Sequence, residues 1–338
     1  MRKRFPEKAT LRLACSAALL TLPALAAWAA AGGTMKALVL SGGQLVMQSV
    51  PKPEPAIGEV RIAVRAAGVN PADWKMARAA GRMGPTPILG LDAAGTIDAV
   101  GPSVTGWKRG DAVIALTRPP HGAYAQYAIV SVGFIAHKPR RLTFEQAAGI
   151  PVAAETAWRS LNDVAHLQSG QRVLIDGGAG GVGSAAVQIA KARGAYVIAT
   201  ASPRNARYLR SIGADEVIDY TSGPFEQKVK DVDVVLDTVN HDDGLRSMRT
   251  LKPGGILVSV VGAMPPDRCA AAGIRCAIPG PSSAQPAAPY LDQIVALADA
   301  GKYRVSVERV FPLSEVAEAL KLSQQGHTRG KLILSIPH

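Results

Sequence analysis

In the stretch "IDGGAGGVGSA", Ile175–Ala185, five of the seven residues from Gly177 to Gly183 are glycine. Gly178, Gly180 and Gly183 have G-x-G-x-x-G spacing, directly after an apolar run and directly before a helical pattern. That placement is the context for a dinucleotide-binding turn. Gly178 is expected to allow the tight turn, Gly180 the close approach of a pyrophosphate, and Gly183 the packing of helix on strand. The amides of Gly181, Val182 and Gly183 would then meet the phosphates at the helix start. A glycine-rich surface turn is the bland alternative, and the position between strand and helix argues against it.

An NAD site places an acid at the end of the next strand, about 20 residues on, to hold the ribose diol. Ala195 to Ala214 contains no acid and offers Ser202, Arg204, Arg207 and Arg210 instead. A hydroxyl and a guanidinium bind a 2′-phosphate that a carboxylate would repel. NADP(H) is therefore expected, with Ser202 and Arg204 as its ligands and Arg207 and Arg210 on the wet face of their helix. Thr238 and Val239 close one later apolar strand and Gly262 the next, where a dinucleotide would cross.

These groups need a scaffold, and the pattern supplies one of α/β class. Residues 36–133 read as short strands with Gly/Pro punctuation, among them "KALVL", "EVRIAVRAAGV", "AAGTIDAVG", "DAVIAL" and "AYAQYAIV". "PADWKMARAA" is the strong helical piece there, with Pro71 suited to a first turn. Thr143 and Gln146 have capping-box spacing, and Pro151 breaks or kinks the helix that follows. From Gln171 apolar strands and helices alternate strictly, which implies a parallel, doubly wound sheet. "GPSSAQPAAP" reads as a connection. The helix, strand, helix and strand after it are expected to return and complete the first domain.

Two further features concern compartment and partners. "MRKRFPEK", the uncharged "LACSAALLTLPAL" and "AWA" have the three-part layout of a secretory signal over residues 1–34. Use of this leader implies an exported protein with no membrane span after its removal; a start at Met35 implies a cytoplasmic one. Arg2, Lys3, Arg4, Lys8 and Arg12 against Glu7 account for +4 of the net charge of +12, leaving +8 on residues 35–338. That excess has no Lys/Arg run, so a nucleic-acid partner is not expected. Beyond Cys15 there are only Cys269 and Cys276, which excludes a disulfide framework and allows one bridge in an exported chain.

Residues 35–338 resemble the medium-chain dehydrogenase/reductases, specifically the zinc-independent, zeta-crystallin-like quinone oxidoreductase branch. The resemblance rests on "GVNPADWK", "PILGLDAAGTIDAVG", "GDAVIAL", "GAYAQYAIV", "TFEQAAGIPVAAETAW", the glycine segment, "GADEVIDY" and "GHTRGKLIL". It implies a GroES-like, mostly-β substrate domain (35–152, completed by 291–338) and a Rossmann NADP-binding domain (153–290), as a homodimer. Zinc relatives carry Cys at Asn70 and Gly-His-Glu at "GLD", Gly90–Asp92; Asn70 and Leu91 are no ligand pair for zinc, and no metal is expected. By the same resemblance Asn70 and Thr156 lie near the nicotinamide, Tyr220 lies beside the adenosine phosphate, and Lys331 and Arg329 reach the cofactor. It fixes no general acid: Asn70 and Tyr124 are the catalytic candidates, and Asp73, Lys75 and Tyr127 are further proton donors by position. Glu155 departs from the small or apolar residue usual at its place, and "CAAAGIRC" reads as a surface insertion.

Without a metal to polarise an oxygen, conjugated acceptors that spread their own negative charge are the natural substrates. The expected activity is NADPH-dependent hydride transfer to quinones or α,β-unsaturated carbonyls. An enoyl-thioester reductase, and an NADP(H)-binding sensor or structural protein without turnover, are the alternatives.

Overall fold

The structure is a computed structural model that describes residues 33–41, 44–79, 87–280 and 285–338. Most of the expected leader, residues 1–32, lies outside the described residues, as do residues 281–284 of the expected connection.

β1 (Thr34–Ser41) and β2 (Gln44–Pro51) pair as an antiparallel hairpin, with Met35 already buried. β3 (Glu59–Val69) then leads into α1 (Pro71–Arg78), and β4 (Asp92–Val100), β5 (Ala112–Leu116), β6 (Tyr127–Ser131) and β7 (Ile135–His137) follow. Val60, Ile62 and Val64 alternate along β3 and are fully buried, which makes it the spine of a mixed sheet. β3 pairs antiparallel with both β4 and β6. β6 begins later than "AYAQYAIV" suggests, because the backbone at Tyr124 and Ala125 pairs with β1 instead.

α2 (Phe144–Ala147) has the expected cap: Gln146 N–H donates to Thr143 Oγ1 at 3.2 Å, and Thr143 N–H to Gln146 Oε1 at 3.1 Å. α3 (Pro151–Trp158) starts on its proline and runs on through a π turn, Arg159–Val164. The strict alternation follows: β8 (Arg172–Ile175), α4 (Gly181–Ala192), β9 (Tyr196–Ala201), α5 (Ala206–Ser211), β10 (Glu216–Asp219), β11 (Val232–Asp237), α6 (His241–Ser247), β12 (Leu251–Ser259), α7 (Pro266–Ala271) and β13 (Arg275–Ala277). The six strands lie in the order β10-β9-β8-β11-β12-β13 with every pairing parallel. The order reverses beside β8, so the glycine segment after it opens at the topological switch point.

"CAAAGIRC" lies largely at the surface, with Ala270, Ala271, Ala272, Gly273 and Arg275 exposed, and it forms the end of α7 and the start of the edge strand β13. Cys269 is buried in α7, Cys276 lies in the edge strand β13, and a disulfide joins them with Cα atoms 6.0 Å apart.

α8 (Ala288–Asp299), β14 (Val307–Pro312), α9 (Val316–Gln324) and β15 (Lys331–Ser335) end the described chain. β15 lies between β14 and β3, with Leu332 opposite Val69, while Gly68 stands opposite Asp92 on β4. Three distant segments are thereby brought to one point: Asn70 after β3, Asp92 opening β4 and Lys331 opening β15.

Candidate functional site

The left-handed turn of the glycine loop falls at Gly177, at φ +67°, one residue before the position expected for it. Gly178 is needed for a different reason: a Cβ there would stand 2.7 Å from Ala199 Cβ on β9. Gly183 does what its spacing implied, since its Cβ would lie 2.2 Å from the Gly177 carbonyl oxygen. Gly180 is unlike both. A Cβ on it would meet only the Gly177 oxygen, at 3.5 Å, so the protein itself does not require glycine there. Gly180 also caps α4 without a side-chain acceptor, and the first turn, with Gly181, Val182 and Gly183, contains no acid. Open space, a side chain that would fill it and uncapped amides fit a dinucleotide's pyrophosphate.

Behind the loop, Asp176 is buried and accepts from Ser247 Oγ and Thr200 Oγ1, and Thr238 Oγ1 donates to its backbone oxygen at 2.7 Å. Burial, helped by Asp237 and Asp243 nearby, pushes its carboxyl up to about 8 despite the Ser247 hydroxyl. Sequence reasoning missed this residue; an acid closing an otherwise apolar strand was its signal.

At the end of β9, Ser202 opens the turn that carries Arg204. Arg204 donates to the His327 oxygen at 2.7 Å, while Arg329 donates to Asn205 Oδ1 at 2.7 Å and to the Arg204 oxygen at 3.1 Å. Two guanidinium groups thus gather beside Ser202, with Tyr220 exposed after neighbouring β10 and Arg207 and Arg210 exposed on α5. Thr238 and the exposed Val239 lie over Gly177, and Gly262 has open space on its Cβ side. Thr156 is half-buried on α3, its carbonyl accepting from Ser160. Its neighbour Glu155 is only 1% exposed, pairs with Arg159 at 3.4 Å and leaves Oε2 without a partner among the described residues. Burial raises its pKa against the pull of Arg159.

The polar centre is built on Asp92, which is fully buried. Its Oδ1 accepts the Val152 N–H in the first turn of α3 at 2.7 Å, and its Oδ2 accepts from Asn70 Nδ2 at 2.9 Å and Lys331 Nζ at 2.9 Å. Gly68 opposite is what makes room, because a Cβ there would stand 2.6 Å from Asp92 Oδ2. Lys331 also donates to Asn70 Oδ1, and its Cδ lies 3.0 Å from where a Cβ on Gly181 would be. Lys331, expected from the resemblance to reach the cofactor, is 5% exposed and joins the glycine loop to Asn70.

Asp73, in the first turn of α1, accepts from the Asn70 N–H at 2.8 Å and the Tyr124 hydroxyl at 2.8 Å. Its burial pushes the carboxyl up to about 7. Tyr124 is fully buried, and burial and Asp73 hold its phenol well above the usual range, so it is a fixed donor to Asp73. Lys75 is exposed, and Tyr127 packs with Lys52 and His338; the structure brings neither to this centre.

The donor set does not fit zinc. Asn70 offers a carboxamide whose oxygen already accepts an ammonium, the next position is Leu91, and Lys331 holds a positive charge among the polar atoms. Among the described residues no group of three His, Cys, Asp or Glu could hold a metal.

Comparison with known proteins places this geometry. The profile described as alcohol dehydrogenase GroES-like domain matches residues 56–140, and that of zinc-binding dehydrogenase matches residues 212–334. The NAD(P)H oxidoreductase RTN4IP1, mitochondrial, of Danio rerio is 34% identical over 323 residues, covering 82% of this chain and 84% of its own. The chain belongs to the medium-chain dehydrogenase/reductase family, in its quinone oxidoreductase-like branch. The quinone oxidoreductase structure from Coxiella burnetii superimposes with a TM-score of 0.81 at 33% identity, covering 90% of this chain and all of that one. The 2-methylene-furan-3-one reductase of Solanum lycopersicum is 34% identical over 82% of this chain and 71% of its own. As a quinone oxidoreductase-like protein, the chain pairs a GroES-like domain with a Rossmann-like parallel sheet. Within that frame Asn70, Asp92 and Lys331 form a polar centre, tied by the Lys331 stem to the dinucleotide loop.

Proposed function

We propose that the chain is an NADPH-dependent oxidoreductase that works without a metal and reduces quinones or α,β-unsaturated carbonyls. One observation carries this reading: Lys331 places its stem against Gly181 of the dinucleotide loop and its ammonium between Asn70 and Asp92. Nucleotide loop and polar centre therefore make one site, and its fixed positive charge is an ammonium. The acid-free end of β9, with Ser202, Arg204 and Arg329, supports the 2′-phosphorylated nucleotide. The relative named as a reductase of 2-methylene-furan-3-one, whose name describes an activated alkene, supports the acceptor class.

When bound, the reduced nicotinamide would supply a hydride. The amides of Gly181, Val182 and Gly183 would hold the pyrophosphate, and Thr238, Val239, Gly262 and Thr156 would line the path toward Asn70. The residues of the polar centre need only steady charge that the acceptor spreads over its own conjugated system. Chelator-treated protein tested with NADPH and NADH against quinones, enones, enoyl thioesters and saturated aldehydes checks the proposal. Rapid NADPH oxidation with quinones or enones is expected. Uptake of neither nucleotide, a stoichiometric zinc requirement, or turnover confined to saturated aldehydes or to enoyl thioesters would overturn it.

A further inference from the structure

We infer that Asn70 donates the hydrogen bond that takes up negative charge on the substrate's carbonyl oxygen, and that Lys331 positions and strengthens this donor. The inference deepens the proposed function and rests on it.

The orientation of the Asn70 amide follows from its neighbours. An ammonium carries donors only, so the amide edge facing Lys331 Nζ must be oxygen, and the other edge is the NH2 group. That group has two protons. One goes to Asp92 Oδ2 at 2.9 Å; among the described residues the other has no acceptor. The carboxamide is locked in one flip with one proton to spare.

The Lys331 ammonium also makes the spare proton a stronger donor. A positive charge on the amide oxygen draws electron density from nitrogen, so the remaining N–H is more acidic than in a free carboxamide. Asn70, Asp92 and Lys331 are 3%, 0% and 5% exposed, so little water screens the effect. The centre is also rigid before any substrate arrives. Asp73 holds the Asn70 backbone, the first turn of α3 holds Asp92, and Gly181 and the β15–β3 register hold Lys331. A dipole fixed in advance needs no reorganisation as charge develops, which is the condition for stabilising an oxyanion.

Enone reduction creates such a charge. A hydride brings two electrons and forms a C–H bond at the β-carbon. The alkene π pair then becomes the bond between Cα and the carbonyl carbon, and the carbonyl π pair moves onto oxygen. The enolate oxygen accepts the Asn70 N–H, and a solvent proton later adds to Cα, giving the saturated ketone. A quinone spreads the same charge over its ring and second oxygen, so it needs the donor less.

Two variants test this. Asn70→Ser keeps a helix-capping side chain but removes the carboxamide, and Lys331→Gln removes the charge while keeping a polar group beside Asp92. The first readout involves no turnover: the ionisation of bound 4-nitrophenol, whose phenolate mimics the enolate, followed by absorbance. Wild type is expected to lower the pH of that ionisation relative to free nitrophenol, and both variants to return it toward the free value. Lys331→Arg should restore much of the effect. The second readout is kcat across acceptors. In Asn70→Ser, aliphatic enones should lose about 10²- to 10³-fold, as when one oxyanion donor is removed, and quinones roughly tenfold. The dissociation constant for NADPH is measured alongside and is expected to change far less than kcat for enones, since the inference puts the Asn70 proton on the acceptor oxygen. Equal losses for all acceptors, an unmoved nitrophenol titration, or a defect confined to nucleotide affinity would overturn the inference. Wild-type protein that shifts nitrophenol yet oxidises no NADPH would instead sink the proposed function.

Discussion

Gly180 and Gly183 lie three residues apart in one loop, and the fold treats them in opposite ways. A methyl group on Gly183 collides with backbone at 2.2 Å, whereas on Gly180 it projects into space that only a ligand would use. Gly183→Ala should therefore cost stability, on the order of 2 kcal/mol or more as an overpacked buried site, whereas Gly180→Ala should melt close to wild type. The same Gly180 variant should weaken nucleotide binding by at least tenfold in calorimetry. Normal nucleotide affinity in Gly180→Ala would refute the placement of the pyrophosphate. The other end of the nucleotide makes its own demand. Ser202→Asp combined with Arg204→Ala puts a carboxylate where a hydroxyl and a guanidinium stand. NADPH affinity should then fall roughly 10- to 100-fold, the scale of one or two charge-assisted hydrogen bonds, with NADH nearly unchanged. Equal effects on both nucleotides would contradict the assignment of the 2′-phosphate.

At the scale of elements, the edge strand β13 is three residues long and is held by its pairing with β12 and by the bridge from Cys276 to α7. Closing a loop this short is worth about 2 kcal/mol in the chain-entropy picture. Reduction, or Cys269→Ser with Cys276→Ser, should lower stability by about that amount and raise amide exchange first in β13 and α7. Uniform loss across the sheet would mean that the bridge is not local in effect. This strand also shows why some elements escaped the sequence. "RCA" has no apolar run and no alternation, so nothing in it announces a strand; its neighbours make it one. By contrast β8, β9, β11 and the second half of β12 are mostly apolar and buried, and their alternation with helices was legible from the order of the apolar runs. The glycine spacing was legible for a similar reason, since backbone crowding between α4 and β8 is local. The Asn70–Asp92–Lys331 centre was only partly so. One of its members, Asn70, could be matched to a position where relatives hold a metal ligand, but the Lys331 contact spans 261 residues to Asn70 and depends on the register of β15 on β3. Register follows from packing across the sheet, which a single sequence does not display.

For the molecule as a whole, buried acids set an unusual dependence of stability on pH. Burial raises Asp73 to about 7 and Asp176 to about 8, and it raises Glu155 and Asp237 as well. In the unfolded chain each of these carboxyls releases its proton near pH 4. Between about pH 4 and 8 the native state therefore holds more protons than the unfolded state, and stability must fall as pH rises through that window. The contribution is fully present below pH 4 and lost above the native values. Asp98, Asp215 and Asp233 act oppositely. Although burial works against it, Lys52 and Arg61 hold Asp98 low, Lys191 holds Asp215, and Lys252 holds Asp233. These are partly exposed pairs whose smaller contribution disappears on acidification below about pH 4. Stability should consequently peak at about pH 4 and decline toward pH 8, by up to about a few kcal/mol. Asp176 is the group to test, because the acids around it, Asp237 and Asp243, share its sign and no basic partner offsets them in the shift. Asp176→Asn keeps an acceptor for Ser247 and cannot ionise. Calorimetric melting from pH 5 to 8.5 should give a variant close to wild type at the acid end, higher-melting at pH 8, and with a shallower slope between. Parallel curves for the two proteins would show that Asp176 is already ionised in the folded state, and that its hydroxyl contacts, rather than a retained proton, hold it in place.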